Sequence, residues 1–524
     1  MRRVSARAAL VTTAGRRILV PGAVLLGFAI VQYLYLRPPS SRDGIGYFRA
    51  AAHFPDIAAD HRTLRIGLLL PVRLAQTIFG HSEAAYYAVP LLAGAGLVLG
   101  TYAVGRILFG RAVGVGAALV LMLSDPFLTT SSLLLPDHVS AALFVAGLAA
   151  VLAVARRRAG GGKTDWRRGD HVALAGAGAL LGWSYLVREY VALVFPLVVL
   201  VFALGRLPWR KLTWVAAPAA GLFVFELILN GVVYGVPWKR FVAAGGHGGE
   251  RSYITDTRFD ALVRLPRALA DAPGGLVLAA CLVLTLSAVA LAVRHRHRRR
   301  SFVIVAAWFA LLWLPLTLGT GLVVPSFRFV IADKLRYWMP VLPAIAIGGV
   351  AVVHRGASLL VERWPGPGRW RALAAPALVI AVAGAAALAG FSQVADGDSY
   401  RVNGADQLGD LRAWLAGDGR DVDTLWTDHY TARLLPLYTR TTFGRRVWDG
   451  EVRAFDRGFD RDRGFVEPRD LTRGAVVLHR FGYRLLPGGY DGIPGYLRRR
   501  EGPDRTLEVF RDDRSLVVIR LSGS

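Results

Sequence analysis

The chain has 524 residues, 54% of them hydrophobic and 19% charged, and its apolar residues are gathered into long runs instead of being dispersed along amphipathic elements. That excludes a soluble globular protein over most of the length and points to a polytopic helical membrane protein. The net charge of +26 arises from 63 Lys plus Arg against 37 Asp plus Glu. Because the basic residues cluster between apolar runs, this charge reads as cytoplasmic anchoring and not as a nucleic-acid surface. The preference for Arg, Ala and Gly over Lys suggests a GC-rich bacterial genome, hence a bacterial plasma membrane. Cys281 stands alone, so no intrachain disulfide and no Cys-based metal site is expected.

Arg2, Arg3, Arg7, Arg16 and Arg17 precede an apolar run over 18–36, long enough at about 1.5 Å per residue to cross a hydrocarbon core of roughly 30 Å. The arginines predict a cytoplasmic N-terminus and place the following segment outside. That segment, 37–83, carries Asp43 in a short polar break. Within it, 66–79 is apolar but too short to span and holds Pro71 and Arg73, which suggests a helix lying in the interface. Runs over 84–108 and 113–123 make the next pair, followed by a polar outer loop that ends at Pro136-Asp137-His138. The run 139–154 then returns to a basic loop, Arg156-Arg157-Arg158 through Arg167-Arg168, which sets inside and outside independently of the N-terminus.

Two short runs, 172–187 and 191–204, form a hairpin with Arg188-Glu189-Tyr190 at its outer tip. A run over 212–229 leads out to a large outer loop, 230–274. The run 275–293 returns to the block Arg294-His295-Arg296-His297-Arg298-Arg299-Arg300, read as a cytoplasmic anchor. Runs over 302–323, 337–353 and 372–388 complete about eleven spans and leave the C-terminus outside. From about Phe391 charge rises, Gly and Asp turns appear and apolar runs shrink to strand length. We therefore expect a membrane domain over 1–390 and a small soluble extracytoplasmic α/β domain over 391–524. In the latter, Leu408, Leu411 and Leu415 have helical spacing, 423–426 and 475–478 look like strands, and 506–510 with 515–521 look like a hairpin.

Ionisable residues collect on the predicted outer face: Asp43, Asp137-His138, Arg188-Glu189, and Lys334 with Arg336-Tyr337. Charges at membrane level are costly without partners or a task, so their common placement suggests a shared polar cavity. Asp137 has three open readings: orienting an acceptor, holding a divalent cation with His138, or capping its helix. His53, Asp56, Asp60 and His61 read as solvated loop residues. Trp238-Lys239-Arg240 and 247–251, with Gly245, Gly246, Gly248 and Gly249, suggest a lid able to close over a phosphate. Glu226 lies inside a span and requires a partner.

An acid just after the first span followed by an aromatic, Asp43 with Tyr47, and an acid opening the fourth span after proline, Pro136-Asp137, resemble motifs of GT-C membrane glycosyltransferases. The hairpin Gly182-Trp183-Ser184-Tyr185-Leu186-Val187-Arg188-Glu189 and the segment Lys334-Leu335-Arg336-Tyr337 leading into Pro340-Val341-Leu342-Pro343 resemble the branch with protein O-mannosyltransferases and aminoarabinose transferases. The resemblance covers 16–388. Where many members carry Asp-Glu in the first loop, this chain has Asp43-Gly44. The resemblance implies inverting transfer of a sugar from a polyprenyl-phosphate donor to a cell-envelope glycan, glycolipid or protein acceptor on the outer face. Asp43 would be the base that takes the acceptor proton, and Arg188, Lys334 and Arg336 would hold the donor phosphate. Tyr47, Glu189 and Tyr337 would support them. A transporter or flippase of lipid-linked saccharides is the second reading, and a non-catalytic envelope assembly protein the third. A flippase favours mid-span charges distributed over both halves and repeated topology, whereas here most ionisable residues collect at one face and no internal repeat is evident.

Overall fold

In the computed structural model each of the eleven apolar runs contributes a helix. The structure describes residues 2–39, 43–159, 166–246, 258–294, 299–322, 335–363, 368–396 and 405–454, and then 459–460, 464–465, 474–479, 495, 497–498, 501–502, 506–512 and 516–522. The chain begins with α1 (Arg2–Tyr35), α2 (Asp43–His53), α3 (Ile66–Phe79), α4 (Glu83–Leu108), α5 (Arg111–Met122), α6 (Asp125–Leu128) and α7 (Pro136–Ala159). It continues with α8 (Arg168–Val187), α9 (Pro196–Gly205), α10 (Thr213–Tyr234), α11 (Lys239–Gly246), α12 (Arg258–Asp271), α13 (Leu276–Arg294), α14 (Arg299–Leu322), α15 (Leu342–Glu362) and α16 (Gly368–Asp396). Among the described residues seven helices are long and apolar enough to cross a bilayer: α1, α4, α7, α10, α14, α15 and α16. The runs in α5, α9 and α13 are apolar but shorter.

The first outer segment contains two helices, not one. α3 stays helical through Pro71 because the Gly67 carbonyl, freed by the missing proline N–H, accepts a bond from Trp183 Nε1 at 2.9 Å. Gly67 also allows α3 to meet the end of α8: a Cβ there would stand 2.7 Å from the Leu186 carbonyl carbon and the Val187 nitrogen. One side of α3 buries Leu68, Leu69 and Val72, while Leu74 and Ile78 face outwards. α2 is tied to it by Gln76 Nε2, which donates to the Phe48 carbonyl at 2.7 Å, and by Arg73, which donates to the carbonyls of Ala51 and Ala52.

Two other boundaries differ from the hydropathy reading. The run expected to span from 337 becomes helical only at Leu342, where Pro343 occupies the first turn and its missing N–H costs nothing. Leu335–Trp338 form a 3-10 turn instead, and the Pro340 carbonyl accepts from Trp308 Nε1 at 2.8 Å. The expected loop 230–274 is helical over α11, α12 and the end of α10. There the lid residues 247–251 lie outside the described residues. So do 295–298 of the basic block.

Beyond α16 come α17 (Ala405–Ala416), β1 (Thr424–Thr427), α18 (His429–Tyr438), β2 (Glu451–Ala454), β3 (Phe459–Asp460), β4 (Gly464–Phe465), β5 (Gly474–His479), β6 (Thr506–Asp512) and β7 (Leu516–Ser522). Five strands form one sheet in the order β2-β1-β5-β7-β6, parallel across β2, β1 and β5 and antiparallel across β5, β7 and β6. Leu516, Val517, Val518 and Ile519 are all buried, as expected of a central strand covered on both faces. This unit meets the helices at the start of α4. Arg412 pairs with Glu83, and Ala84 N–H donates to the Thr442 carbonyl at 3.0 Å.

Candidate active site

The outer-face candidates come from four separate stretches, and the fold brings most of them to one end of the bundle. Asp43 opens α2, where a carboxylate complements the exposed N–H groups of the first turn. The 3-10 turn before α15 presents Arg336, whose two terminal nitrogens donate to Asp43 Oδ2 at 3.2 and 3.3 Å. Arg62, on the loop between α2 and α3, approaches Asp43 Oδ1 at 3.7 Å. Burial pushes the Asp43 carboxyl up, but the guanidiniums of Arg336 and Arg62 together outweigh it and hold the group below its ordinary value.

Asp137 sits in the first turn of α7, nearly inaccessible, and shares the same arginine. Its Oδ2 is 4.0 Å from Arg336 Nε, while its Oδ1 lies 3.2 Å from Arg188 Nε and accepts from the Tyr190 hydroxyl at 3.2 Å. Arg336 therefore bridges the two aspartates. Arg188 is the residue that ends α8, with extended backbone, and its guanidinium lies against the edge-packed pair Tyr190 and Tyr337, 5.3 and 5.1 Å from their rings. Arg336 lies 5.0 Å from the Tyr337 ring and donates to that hydroxyl at 3.2 Å. Arg188 thus faces Asp137 and not its sequence neighbour Glu189. Lys334 lies outside the described residues.

His138 turns the other way. It is fully buried on α7 towards the Pro90 carbonyl, so it and Asp137 point to different surroundings. Among the described residues no group of three or more His, Cys, Asp or Glu side chains could hold a metal ion. In the expected solvated cluster, Asp60 serves its own loop and accepts from the N–H groups of Arg62 and Thr63 at 2.7 and 2.8 Å. Tyr47, one turn after Asp43, is buried with the Arg65 guanidinium 5.4 Å from its ring.

Glu226 and Arg240 solve each other. Glu226, inside α10, bonds Arg240 of α11, which also donates to Glu189 Oε2 at 2.9 Å and to the Tyr185 carbonyl at 3.0 Å. Arg240 is accordingly an anchor that closes α11 onto the tip of the α8 hairpin, whereas sequence reading assigned it to a mobile lid. Trp238 remains exposed beside it. Replacing Arg240 by Met should lower the thermal stability of the detergent-solubilised protein by about 3–5 kcal/mol, since Glu226 would stay buried without its cation. The double replacement Arg240→Met with Glu226→Leu should recover part of the loss. Equal melting of parent and single variant would show that the pair contributes nothing.

Arg62 and Arg65 were not singled out from the sequence. Their signal is that they are cations in a predicted outer loop, against the usual charge bias, which calls for an anionic partner there. Arg65 is half-buried, and among the described residues it makes no carboxylate contact within 4 Å. Burial pulls its guanidinium below the ordinary value despite the fields of Glu189 and Asp137. Around the two aspartates stand Arg62, Arg65, Arg188 and Arg336; Arg62 also lies 3.9 Å from Asp60 Oδ2 and the field of Glu189 acts on Arg65, so four guanidiniums face four carboxylates.

Residues 69–233 match the PMT_2 family, described as Dolichyl-phosphate-mannose-protein mannosyltransferase. No curated protein sequence matches the chain. Among solved structures, the chain is similar to ArnT from Cupriavidus metallidurans bound to undecaprenyl phosphate, with a TM-score of 0.53 and 15% identity over 97% of this chain and 98% of that one. The same protein in its apo state gives a TM-score of 0.52 at 14% identity, with 97% and 98% covered. The archaeal oligosaccharyltransferase AglB from Archaeoglobus fulgidus, in complex with an inhibitory peptide and a dolichol-phosphate, gives 0.44 at 14% identity, over 96% of this chain and 74% of that one. The matched segment contains α4 to α8 with Asp137 and Arg188, and the fold extends the likeness over nearly the whole length. Residues 69–233 thus match the PMT_2 family model, and the fold is similar to that of ArnT over nearly the whole length.

Proposed function

We propose that the protein transfers a sugar, with inversion, from a polyprenyl-phosphate donor to a cell-envelope acceptor, at the end of the bundle that carries Asp43. That end would face outwards from a bacterial plasma membrane, with the N-terminus in the cytoplasm and the α17–β7 unit outside. The observation that carries the reading is Arg336, a partly exposed guanidinium that bridges Asp43 and Asp137 at one end of the bundle. A partly exposed guanidinium beside a carboxylate suits a phosphate that is bound as substrate and gains charge as it leaves.

In this reading Asp43 accepts the acceptor's hydroxyl proton while the hydroxyl oxygen attacks the anomeric carbon. The bond from that carbon to the phosphate oxygen breaks on the opposite side, and the polyprenyl phosphate leaves with the electron pair. Arg336, partly exposed beside Asp43, and half-buried Arg65 are the donor-phosphate contacts in this reading, with Lys334 a further candidate that lies outside the described residues. Arg188, buried against Asp137, orients the pair and adds its field. When phosphate draws Arg336 towards itself, Asp43 loses part of the field that keeps it weakly basic. Donor binding would thereby strengthen the base that the next step needs.

A donor panel tests the proposal. Purified protein given an acceptor fraction from a bacterial envelope should transfer sugar from polyprenyl-phosphate sugars and ignore nucleotide sugars. Transfer from nucleotide sugars alone would refute it. Movement of intact lipid-linked sugar across a vesicle membrane, without transfer, would establish the flippase reading instead.

A further inference from the structure

Small residues on two neighbouring helices open a furrow at the end of the bundle opposite Asp43. Gly178 and Gly182 bring α8 and α10 into backbone contact: a Cβ on Gly178 would stand 2.1 Å from the Val215 carbonyl oxygen. Nearby on α8, Gly176 and Ala179 are exposed, and a Cβ on Gly176 would meet nothing within 4 Å. With Val172, Ala175, Trp214 and Pro218 they line a furrow of about 570 Å³ whose walls are apolar apart from Arg168 and His171. That volume lies in the range of small-molecule sites. The outer surface of α10 continues exposed through Trp214, Val224 and Ile228, as a helix facing hydrocarbon does.

The mouth of the furrow is aromatic and cationic. The ring of His171 stacks between those of Trp166 and Trp214, at 5.6 and 4.9 Å, and Lys211 Nζ donates to His171 Nε2 at 3.0 Å. Lys211 and Arg158 also sit over the Trp166 ring at 5.3 and 4.3 Å. The nearby acid, Asp170, is taken up by Arg157 and Arg158 at 3.0 and 2.7 Å. Arg168 is exposed at the furrow and makes no ion pair among the described residues. α8 runs 20 residues from this mouth to Arg188 at the candidate active site, about 30 Å, the depth of a hydrocarbon core.

An apolar slot open to hydrocarbon, closed at headgroup level by Trp, Lys and Arg, has the chemistry of one occupant. A free anion would leave the slot without an apolar partner. A zwitterionic lipid would leave Arg168 and Lys211 without a net counter-charge. We propose that the furrow between α8 and α10 binds a membrane phospholipid with an anionic headgroup, one acyl chain lying along Ala175, Gly176, Ala179 and Pro218 and its headgroup at Arg168 and Lys211.

The test is retention of lipid by the intact protein, equilibrated in micelles containing equal phosphatidylglycerol and phosphatidylcholine and read by mass spectrometry of the intact complex. Phosphatidylglycerol should be retained over phosphatidylcholine. Arg168→Gln should lower its retention about fivefold, and Lys211→Gln by a similar factor. Gly176→Leu should lower retention of both lipids by filling the slot, with the elution volume and melting temperature unchanged because its side chain has open space. Equal retention of the two lipids by the parent protein would overturn the proposal. So would unchanged phosphatidylglycerol retention in both Arg168→Gln and Gly176→Leu, or its displacement by inorganic phosphate.

Discussion

Asp43→Asn should lower sugar transfer by more than about a hundredfold while leaving donor binding and the fold in place. Asparagine keeps the shape of the side chain and removes the acceptor for a proton. The ion pairs lost, to Arg336 and Arg62, are partly exposed on both sides, so the stability cost should be at most about 1 kcal/mol. The pH profile adds a second check. Because the two arginines outweigh burial and hold the carboxyl below its ordinary value of 3.8, Asp43 is ionised in the free protein throughout the neutral and mildly acidic range. Its contribution to kcat/KM should therefore be flat on lowering the pH through that range. It should vanish only as the pH falls through the lowered value. An acid limb assigned to Asp43 near pH 6 to 7, or near-normal turnover by Asp43→Asn with active donor and acceptor, would remove it from the role of base.

Arg336→Ala should damage use of the phosphate-linked donor more than use of the acceptor. Truncating one member of a hydrogen-bonded charge cluster costs about 2–5 kcal/mol, which corresponds to roughly thirtyfold to several thousandfold in kcat/KM for the donor. Two structural facts make Arg336 the larger target than Arg188. Its side chain is partly accessible, 23% against 7%, and it alone among the described arginines lies within 4 Å of both Asp43 and Asp137. Arg336→Lys should rescue poorly, because an ammonium retains the charge without the paired donors. Some loss of thermal stability is also expected, since among the described residues buried Asp137 then keeps Arg188 and Tyr190 within contact distance. Equal loss for donor and acceptor, in protein that elutes and melts like the parent, would make Arg336 a structural residue.

The membrane helices were legible in the sequence because each is a local property: an unbroken apolar run, ended by arginines at one side and polar breaks at the other. The strands β1 and β5 and the β6–β7 hairpin were legible for the same reason. Asp43, Arg188 and Arg336 stood out as charges at the level of a membrane surface, where an unpartnered ion is costly. Helix boundaries near proline were less visible. Hydropathy does not distinguish Tyr337 in a turn from Leu342 in a helix, nor does it reveal that Trp183 replaces the N–H missing at Pro71.

The sequence by itself determined a helical membrane chain with a terminal α/β unit and a set of ionisable residues at the ends of its spans. Only the tertiary structure decided which of those residues meet. Arg336 and Asp43 are 293 positions apart, and Glu226 and Arg240 belong to different helices, so no spacing rule pairs them. It also turned Asp137 towards Arg188 and its neighbour His138 towards Pro90, a division set by helix rotation within the bundle. The physical reason is that hydrophobic burial is recorded residue by residue along the chain. The partner of a buried charge depends instead on a few ångströms of helix packing, and that is a property of the whole bundle.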